Sequence, residues 1–172
     1  ATIIDKTGLY NNQVKDILIE NGLLTKIADS IENTGNIKEL NFDNLHVSQG
    51  WFDTSVSFGE PGYEERETIE NGLHVAAASG FTDIALNANT NPVIDSHSDI
   101  AYVKSKASNS ATNLHPIGAL TKGSKAIDLA ELFDMKSAGS IAFGDYKKPI
   151  KNPNLLKIAL QYASSFDGLV HS

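Results

Sequence analysis

The feature that most constrains the fold is an alternation of strand-like and helix-like segments that begins near residue 47. Strand patterns occupy residues 47–58, 81–86, 114–120, 140–143 and 168–171. Helical spacing of apolar residues lies between them, at 66–79, 96–108, 126–137 and 154–164. Strands that alternate with helices at this spacing predict βαβ units and a parallel sheet, and therefore an α/β fold.

Two architectures fit this alternation of strands and helices, an open doubly wound sheet and a (β/α)8 barrel. The pattern supplies about five strands, which are too few to close an eight-stranded barrel. The sheet is therefore either open or part of a larger barrel. Neither Ala1 nor Ser172 resembles a natural terminus, and we expect the chain to be a piece of a longer protein.

The first part of the chain has strand patterns and no helical spacing. Residues 15–20 and 23–27 flank Asn21-Gly22, a dipeptide that favours a two-residue hairpin turn. Residues 37–42 alternate apolar and polar side chains, as a half-buried strand does. We predict a small antiparallel β unit at residues 1–46 and the α/β region at residues 47–172.

Composition excludes several classes of function. The chain has no cysteine, so disulfides, cysteine-based zinc sites and thiol nucleophiles are absent from it. Its 14 basic and 21 acidic residues give a net charge of −7, which offers no electrostatic footprint for nucleic acid or an anionic membrane. No apolar run approaches the ~20 residues that a membrane span needs. A cytoplasmic location is the default expectation.

Polar side chains follow the predicted strands at the ends where parallel α/β folds place their active sites. They include Ser55, Ser57, Asn89, Asp145 and His171. Taken alone, the two serines fit ordinary strand positions, Asp145 fits a carboxylate that caps a loop, and His171 fits either a hydrogen-bonded core histidine or a metal ligand. No phosphate-binding loop, dinucleotide turn or nucleophile elbow accompanies them.

An ordered series of short motifs resembles the dihydroorotases, a family of cyclic amidohydrolases. The motifs are GWFD (residues 50–53), EPG (60–62), ETIENG (67–72), GFT (80–82), NTNPV (89–93), TKG (121–123) and FGD (143–145). The resemblance implies a (β/α)8-barrel hydrolase that interconverts carbamoyl-aspartate and dihydroorotate in pyrimidine biosynthesis. It also implies one or two zinc ions and a β-sandwich portion beside the barrel. The chain would then hold that portion and the first five βα units of a partial TIM barrel.

The resemblance also locates the family's site residues. The two histidines that bind metal on the first barrel strand correspond to Ser55 and Ser57, and serine is a poor zinc ligand. The arginine that binds the substrate carboxylate corresponds to Gly59. Asp145 and His171 match metal ligands, although Tyr146 stands where the family has a second aspartate. A further match is Asn89, which corresponds to the family's substrate-binding asparagine.

These departures predict a dihydroorotase-like protein with no hydrolase activity or severely reduced activity, and with zinc absent or weakly bound. Such a protein would act as a structural partner, for example of aspartate carbamoyltransferase, and would assemble with the remaining half of the barrel or a second copy. One alternative is an active metal-dependent dihydroorotase with an altered ligand set. Another is a barrel that binds a small molecule through Asn89.

Overall fold

The computed structural model describes residues 1–35 and 37–171. The chain divides into two compact units, Ala1–Gln49 and Gly50–Ser172. Among the described residues, the regular elements of the first unit are short strands, and every helix lies in the second unit.

The first unit is built from two strand pairs. Its strands are β1 (Thr2–Ile4), β2 (Asp16–Glu20), β3 (Leu23–Ala28) and β4 (His46–Ser48). The antiparallel arrangement predicted from the sequence is found in the β2–β3 hairpin, whereas β1 and β4 pair in parallel. Asn21 and Gly22 form the hairpin turn with φ angles of +52° and +78°, as a type I′ turn requires.

The prediction of a strand at residues 37–42 is wrong, because none of these residues belongs to a strand or takes part in a β-sheet. Its apolar side chains stay in contact with solvent: Leu40 and Phe42 are each 63% exposed. Alternating polarity stabilises a strand only where a second strand forms hydrogen bonds with it and a core buries its apolar side chains. In the described part of this unit, residues 37–42 have neither a partner strand nor a core that buries them.

The second unit alternates strands and helices, as predicted. Its elements are β5 (Trp51–Val56), α1 (Ile69–Ala78), β6 (Phe81–Leu86), α2 (His97–Lys106), β7 (Asn113–Gly118), a short 3-10 helix (Lys122–Ser124), α3 (Leu132–Ala138), β8 (Ala142–Phe143), α4 (Pro153–Ser164) and β9 (Leu169–Val170). The strands form one five-stranded parallel sheet in the order β5-β6-β7-β8-β9. This sheet curls into part of a TIM barrel, which confirms the predicted fold class.

Local signals set the ends of the helices. Ser96 and Asp99 form a capping box at the start of α2, and Gly139 ends α3 with a φ of +106°. The helix predicted at 126–137 begins only at residue 132. Ser124 and Ala126 have φ angles of +51° and +56°, and a backbone in the left-handed region cannot continue an α-helix.

The sheet has a packed outer face and a thinly covered inner face. On the outer face, strand residues such as Ile84 and Leu86 pack against the helices, where Ile69 and Ile100 are fully buried. On the inner face, the buried apolar cluster consists of Ala85, Ile117 and Ala142. This division follows from the alternation of side chains along a strand, which places Ala85 on the opposite face from Ile84 and Leu86. Among the described residues, no helix is long and apolar enough to cross a membrane.

Candidate functional site

The first part of the candidate site joins the ends of β5 and β6. The side-chain amide of Asn87 donates hydrogen bonds to Ser55 Oγ at 3.1 Å and to the backbone carbonyl of Val56 at 2.9 Å. Asn87 is 3% exposed, whereas Ser55 is exposed, so the contact lies at the border between the interior and solvent. The Ser55 hydroxyl is therefore an acceptor for an amide in this structure. Sequence reasoning did not identify Asn87, which lies just beyond β6 and two residues before Asn89.

Ser57 lies at the centre of a second polar group. Its hydroxyl donates a hydrogen bond to Asn89 Oδ1 at 3.1 Å. The Ser57 hydroxyl, and after it the neighbouring Lys147, lowers the pKa of the Tyr146 phenol. The ammonium of Lys147 lies 5.0 Å from the centre of the Tyr146 ring, within range of a cation–π contact. Side chains that follow β5, β6 and β8 thus meet around Ser57.

Asp145 is buried and bound to the loop that follows β7. Its carboxylate accepts a hydrogen bond from the Thr121 N–H at 3.0 Å and a second one from the Thr121 hydroxyl. The same hydroxyl accepts a hydrogen bond from the Ala126 N–H at 2.9 Å. Asp145 therefore ties two strand-end loops together, which is the loop-capping role that the sequence left open for it.

One cavity of about 310 Å³ lies at this end of the sheet and brings several of the candidate residues together. Asp145 and His171 both line it, together with Asn87 and Tyr146. The His171 N–H donates to the backbone carbonyl of Phe143 at 2.8 Å, which extends the pairing of β8 and β9. Ser55 and Ser57 do not line the cavity themselves. They contact two side chains that do, Asn87 and Tyr146 respectively.

Gly59 occupies a position in which no side chain fits. Its N–H donates to the Glu67 carbonyl at 2.9 Å, and its carbonyl accepts from the Tyr63 N–H at 2.9 Å. A Cβ atom at this position would lie 1.8 Å from the Tyr63 carbonyl oxygen. The loop after β5 is therefore folded in a way that depends on glycine, and any larger residue requires the backbone to move.

Glu60 anchors the same loop from inside the protein. Its carboxylate accepts hydrogen bonds from the Ile69 N–H at 2.9 Å, from the Tyr102 hydroxyl at 2.9 Å and from Lys106 at 3.0 Å. Burial alone would raise the pKa of Glu60, but these three donors outweigh it and hold the pKa below its ordinary value. The sequence feature that could have identified Glu60 is the EPG motif, which lies shortly before a predicted helix.

The described residues do not supply a complete zinc site. Catalytic zinc is normally held by three protein ligands and a water. In the part of the chain that the structure describes, no group of three or more histidine, cysteine, aspartate and glutamate side chains is placed to hold a metal ion. Both carboxylate oxygens of Asp145 are also engaged by Thr121. Zinc does not fit this donor set.

The fold is that of a partial TIM barrel. The structure is similar to the L-hydantoinase (dihydropyrimidinase) of Arthrobacter aurescens, with a TM-score of 0.70 over 98% of this chain and 38% of that one. The sequence identity is 15%, so this likeness concerns the fold alone. The family model described as dihydro-orotase-like matches residues 46–172. The chain belongs to the dihydroorotase-like family, as its motifs predict.

Curated relatives agree with this assignment. The chain is 40% identical over 163 residues to the dihydroorotase of Ruminiclostridium cellulolyticum, and 40% identical over 158 residues to that of Pelotomaculum thermopropionicum. It is 37% identical over 175 residues to the dihydroorotase of Syntrophus aciditrophicus. The chain spans 37 to 40% of the length of these three relatives.

Proposed function

We propose that this chain is part of a dihydroorotase-like protein that has no hydrolase activity, or severely reduced activity, and that serves as a structural partner. The observation that carries the proposal is the pairing of Ser55 with Asn87 and of Ser57 with Asn89. By the resemblance, these serines stand where the family has its first pair of metal-binding histidines. Here the two hydroxyls belong to a neutral hydrogen-bonded network.

The chemical consequence follows from what zinc supplies when it is bound. A bound zinc ion would lower the pKa of a coordinated water from its very high bulk value to about 7 and would polarise a carbonyl oxygen. Of the candidate ligands, Asp145 and His171 remain, one carboxylate and one imidazole. Two protein ligands bind zinc more weakly than the usual three, and Asp145 would first have to release Thr121.

Zinc content tests the metal side of this proposal. We expect the purified full-length protein to hold well below one zinc per chain after dialysis against buffered zinc. The double variant Ser55→His/Ser57→His should hold more, because imidazole is a far better zinc ligand than a hydroxyl. A matched control is Ser108→His/Ser110→His, two positions outside this site in the loop before β7. Stoichiometric zinc in the unmodified protein would contradict the proposal.

The structural-partner role is supported by the uncovered edge of the sheet. Strand β5 pairs on one side only with a described strand, and its Trp51 and Phe52 are 66% and 52% exposed. The natural cover would be the remaining barrel, a second copy or an enzyme such as aspartate carbamoyltransferase. Sedimentation of the full-length protein with that transferase, against each protein alone, tests the last of these. If the two proteins sediment separately at micromolar concentration, the transferase is not the partner.

One observation favours the alternative of an active enzyme with an altered ligand set. Asp145 and His171 line the same cavity, so two side chains of the kinds that bind zinc already face one space. Under this alternative the unmodified protein would lose activity when treated with a chelator and regain it with zinc. The main proposal expects neither effect.

A further inference from the structure

The pentapeptide Ile-Glu-Asn-Gly-Leu occurs twice in the chain, at residues 19–23 and at residues 69–73. The first copy forms the turn of the β2–β3 hairpin, and the second copy begins α1. In both copies the carboxamide of the asparagine is followed by a backbone nitrogen that no side chain shields, because glycine has none. Since the neighbouring residues are identical, a difference in reactivity between the two asparagines arises from the fold.

The first copy is open to solvent. Asn21 and Gly22 are both exposed, and a Cβ atom on Gly22 would meet no described atom within 4 Å. In the part of the chain that the structure describes, neither the Asn21 carboxamide nor the Gly22 N–H forms a hydrogen bond. The hairpin is a two-stranded sheet whose Ile19 and Leu23 side chains are exposed. A hairpin of this kind is marginally stable, so its turn opens at a low cost in free energy.

The second copy is held closed by the helix. The Gly72 N–H donates a hydrogen bond to the Thr68 carbonyl at 3.0 Å, and Gly72 is buried beside the ring of Phe58. The Asn71 amide donates to the Glu67 carboxylate at 2.8 Å. The Gly72 nitrogen becomes available only when the first turn of α1 unfolds, which costs more free energy than the opening of an exposed turn.

We propose that Asn21 deamidates spontaneously in the folded protein, whereas Asn71 is protected. The Gly22 nitrogen loses its proton to solvent base and forms a bond to Cγ of Asn21. The Cγ–Nδ2 bond then breaks, and the leaving nitrogen takes up a proton and departs as ammonia. Water opens the resulting succinimide ring at its side-chain carbonyl, which gives aspartate, or at its backbone carbonyl, which gives isoaspartate. Asparagine is one of the thermolabile residues for which chemistry of this kind is expected.

Both products alter the hairpin. A carboxylate replaces a neutral amide, and isoaspartate also adds a carbon atom to the main chain of the turn. Because a tight turn sets the register of its two strands, the longer turn cannot keep the pairing of Glu20 with Leu23. The reaction consumes water and uses no group of the candidate site. It is therefore independent of the proposed function.

The test is incubation of the full-length protein at mildly alkaline pH, followed by trypsin digestion and mass spectrometry. Cleavage after Lys15 and Lys26 releases a peptide in which Asn21 is the sole asparagine, and fragmentation of the peptide that begins at Glu67 reports on Asn71. We expect Asn21 to be converted at least about tenfold faster than Asn71. Aspartate and isoaspartate should elute as separate forms of the first peptide.

A denaturant and a variant serve as controls. In urea that unfolds the protein the rates at Asn21 and Asn71 should converge, because the two pentapeptides are identical. The change Asn21→Gly removes the carboxamide and keeps a turn sequence that a two-residue hairpin accepts, so its peptide should stay unmodified. Equal rates at the two asparagines in the folded protein would overturn the proposal. So would an Asn21 that stays intact in the folded protein while both asparagines react in urea.

Discussion

Both carboxylate oxygens of Asp145 accept hydrogen bonds from a single residue, Thr121. The backbone N–H of Thr121 donates to one oxygen at 3.0 Å and its hydroxyl donates to the other. Asp145 is 7% exposed and Thr121 is fully buried, so both groups would be left without partners in a dry environment if the contact were broken. Asp145 therefore holds the strand-end loops in place.

This arrangement makes Asp145 a determinant of stability. The change Asp145→Asn replaces one acceptor oxygen with an NH2 group and should lower the free energy of unfolding by about 1–3 kcal/mol. Urea denaturation of the full-length protein measures this loss. The control is Asp134→Asn in the first turn of α3, where the side chain is exposed. A loss for Asp145→Asn that disappears in zinc-free buffer would show instead that Asp145 acts through a metal.

The loop after β5 should not accept a side chain at position 59. The change Gly59→Ala places a Cβ atom 1.8 Å from the Tyr63 carbonyl oxygen, and relief of such overpacking typically costs about 1–3 kcal/mol. Gly35→Ala is the control, because among the described residues its Cβ would meet the Ile37 side chain at an ordinary contact distance of 3.6 Å. Thermal unfolding compares the two variants. If Gly59→Ala proves as stable as Gly35→Ala, the loop does not depend on glycine.

Gly59→Arg extends this prediction to the family's substrate-binding arginine. Because the backbone must first move, restoring arginine at position 59 alone should destabilise the loop. It should not create an anion clamp. Limited proteolysis detects the opened loop through faster cleavage near residues 59–67. Unchanged cleavage together with tighter binding of a dicarboxylate would contradict this expectation.

Glu60 should make stability depend on pH in the acidic range. Its folded-state pKa lies below the ordinary value of 4.5, so the carboxylate form is favoured by folding. That contribution is complete above about pH 4.5 and is lost as pH falls through the lower folded-state pKa. The change Glu60→Gln should cost about 1–3 kcal/mol at neutral pH and should flatten the acid limb of the stability curve. The control is Glu65→Gln, in the exposed part of the loop, which should change neither the stability at neutral pH nor its decline at acidic pH. If the stability of Glu60→Gln declined at acidic pH as steeply as that of the unmodified protein, this role of Glu60 would be contradicted.

Most of the helices and strands could be predicted because their signals are local. Pro153 and the capping Asn152 define the start of α4 within one residue of the prediction, and Gly139 marks the end of α3 through its left-handed backbone. The start of α3 could not be predicted in the same way. Its sequence is compatible with helix from residue 126, but Ala126 has a left-handed backbone and Leu129 pairs with Thr121 in an isolated β-bridge.

The side chains of the site could be proposed from the sequence, but not their partners. The Asp145–Thr121 contact joins residues 24 positions apart, and the Ser57–Asn89 hydrogen bond spans 32 positions. Such contacts depend on the register of neighbouring strands, which no local pattern specifies. Asn87 illustrates the difference, because its amide chemistry is visible in the sequence while its bond to Ser55 is not.

The exposed edges of the sheet predict that a polypeptide of these 172 residues alone is not a complete folding unit. Trp51 at one edge and Leu169 at the other are 66% and 62% exposed, and unpaired strand edges promote association. We expect this polypeptide to form oligomers in analytical ultracentrifugation or to melt without a cooperative transition. A monodisperse monomer with a single sharp calorimetric transition would contradict the prediction.

We propose that the site around Ser55 and Ser57 does not support metal-assisted hydrolysis. The most direct measurement is the rate of dihydroorotate hydrolysis by the full-length protein, assayed with added zinc and with a chelator. Without a metal-activated water, the rate should equal the background reaction under both conditions. A rate above background that requires zinc and disappears with the chelator would show that the site is an active metal-dependent hydrolase.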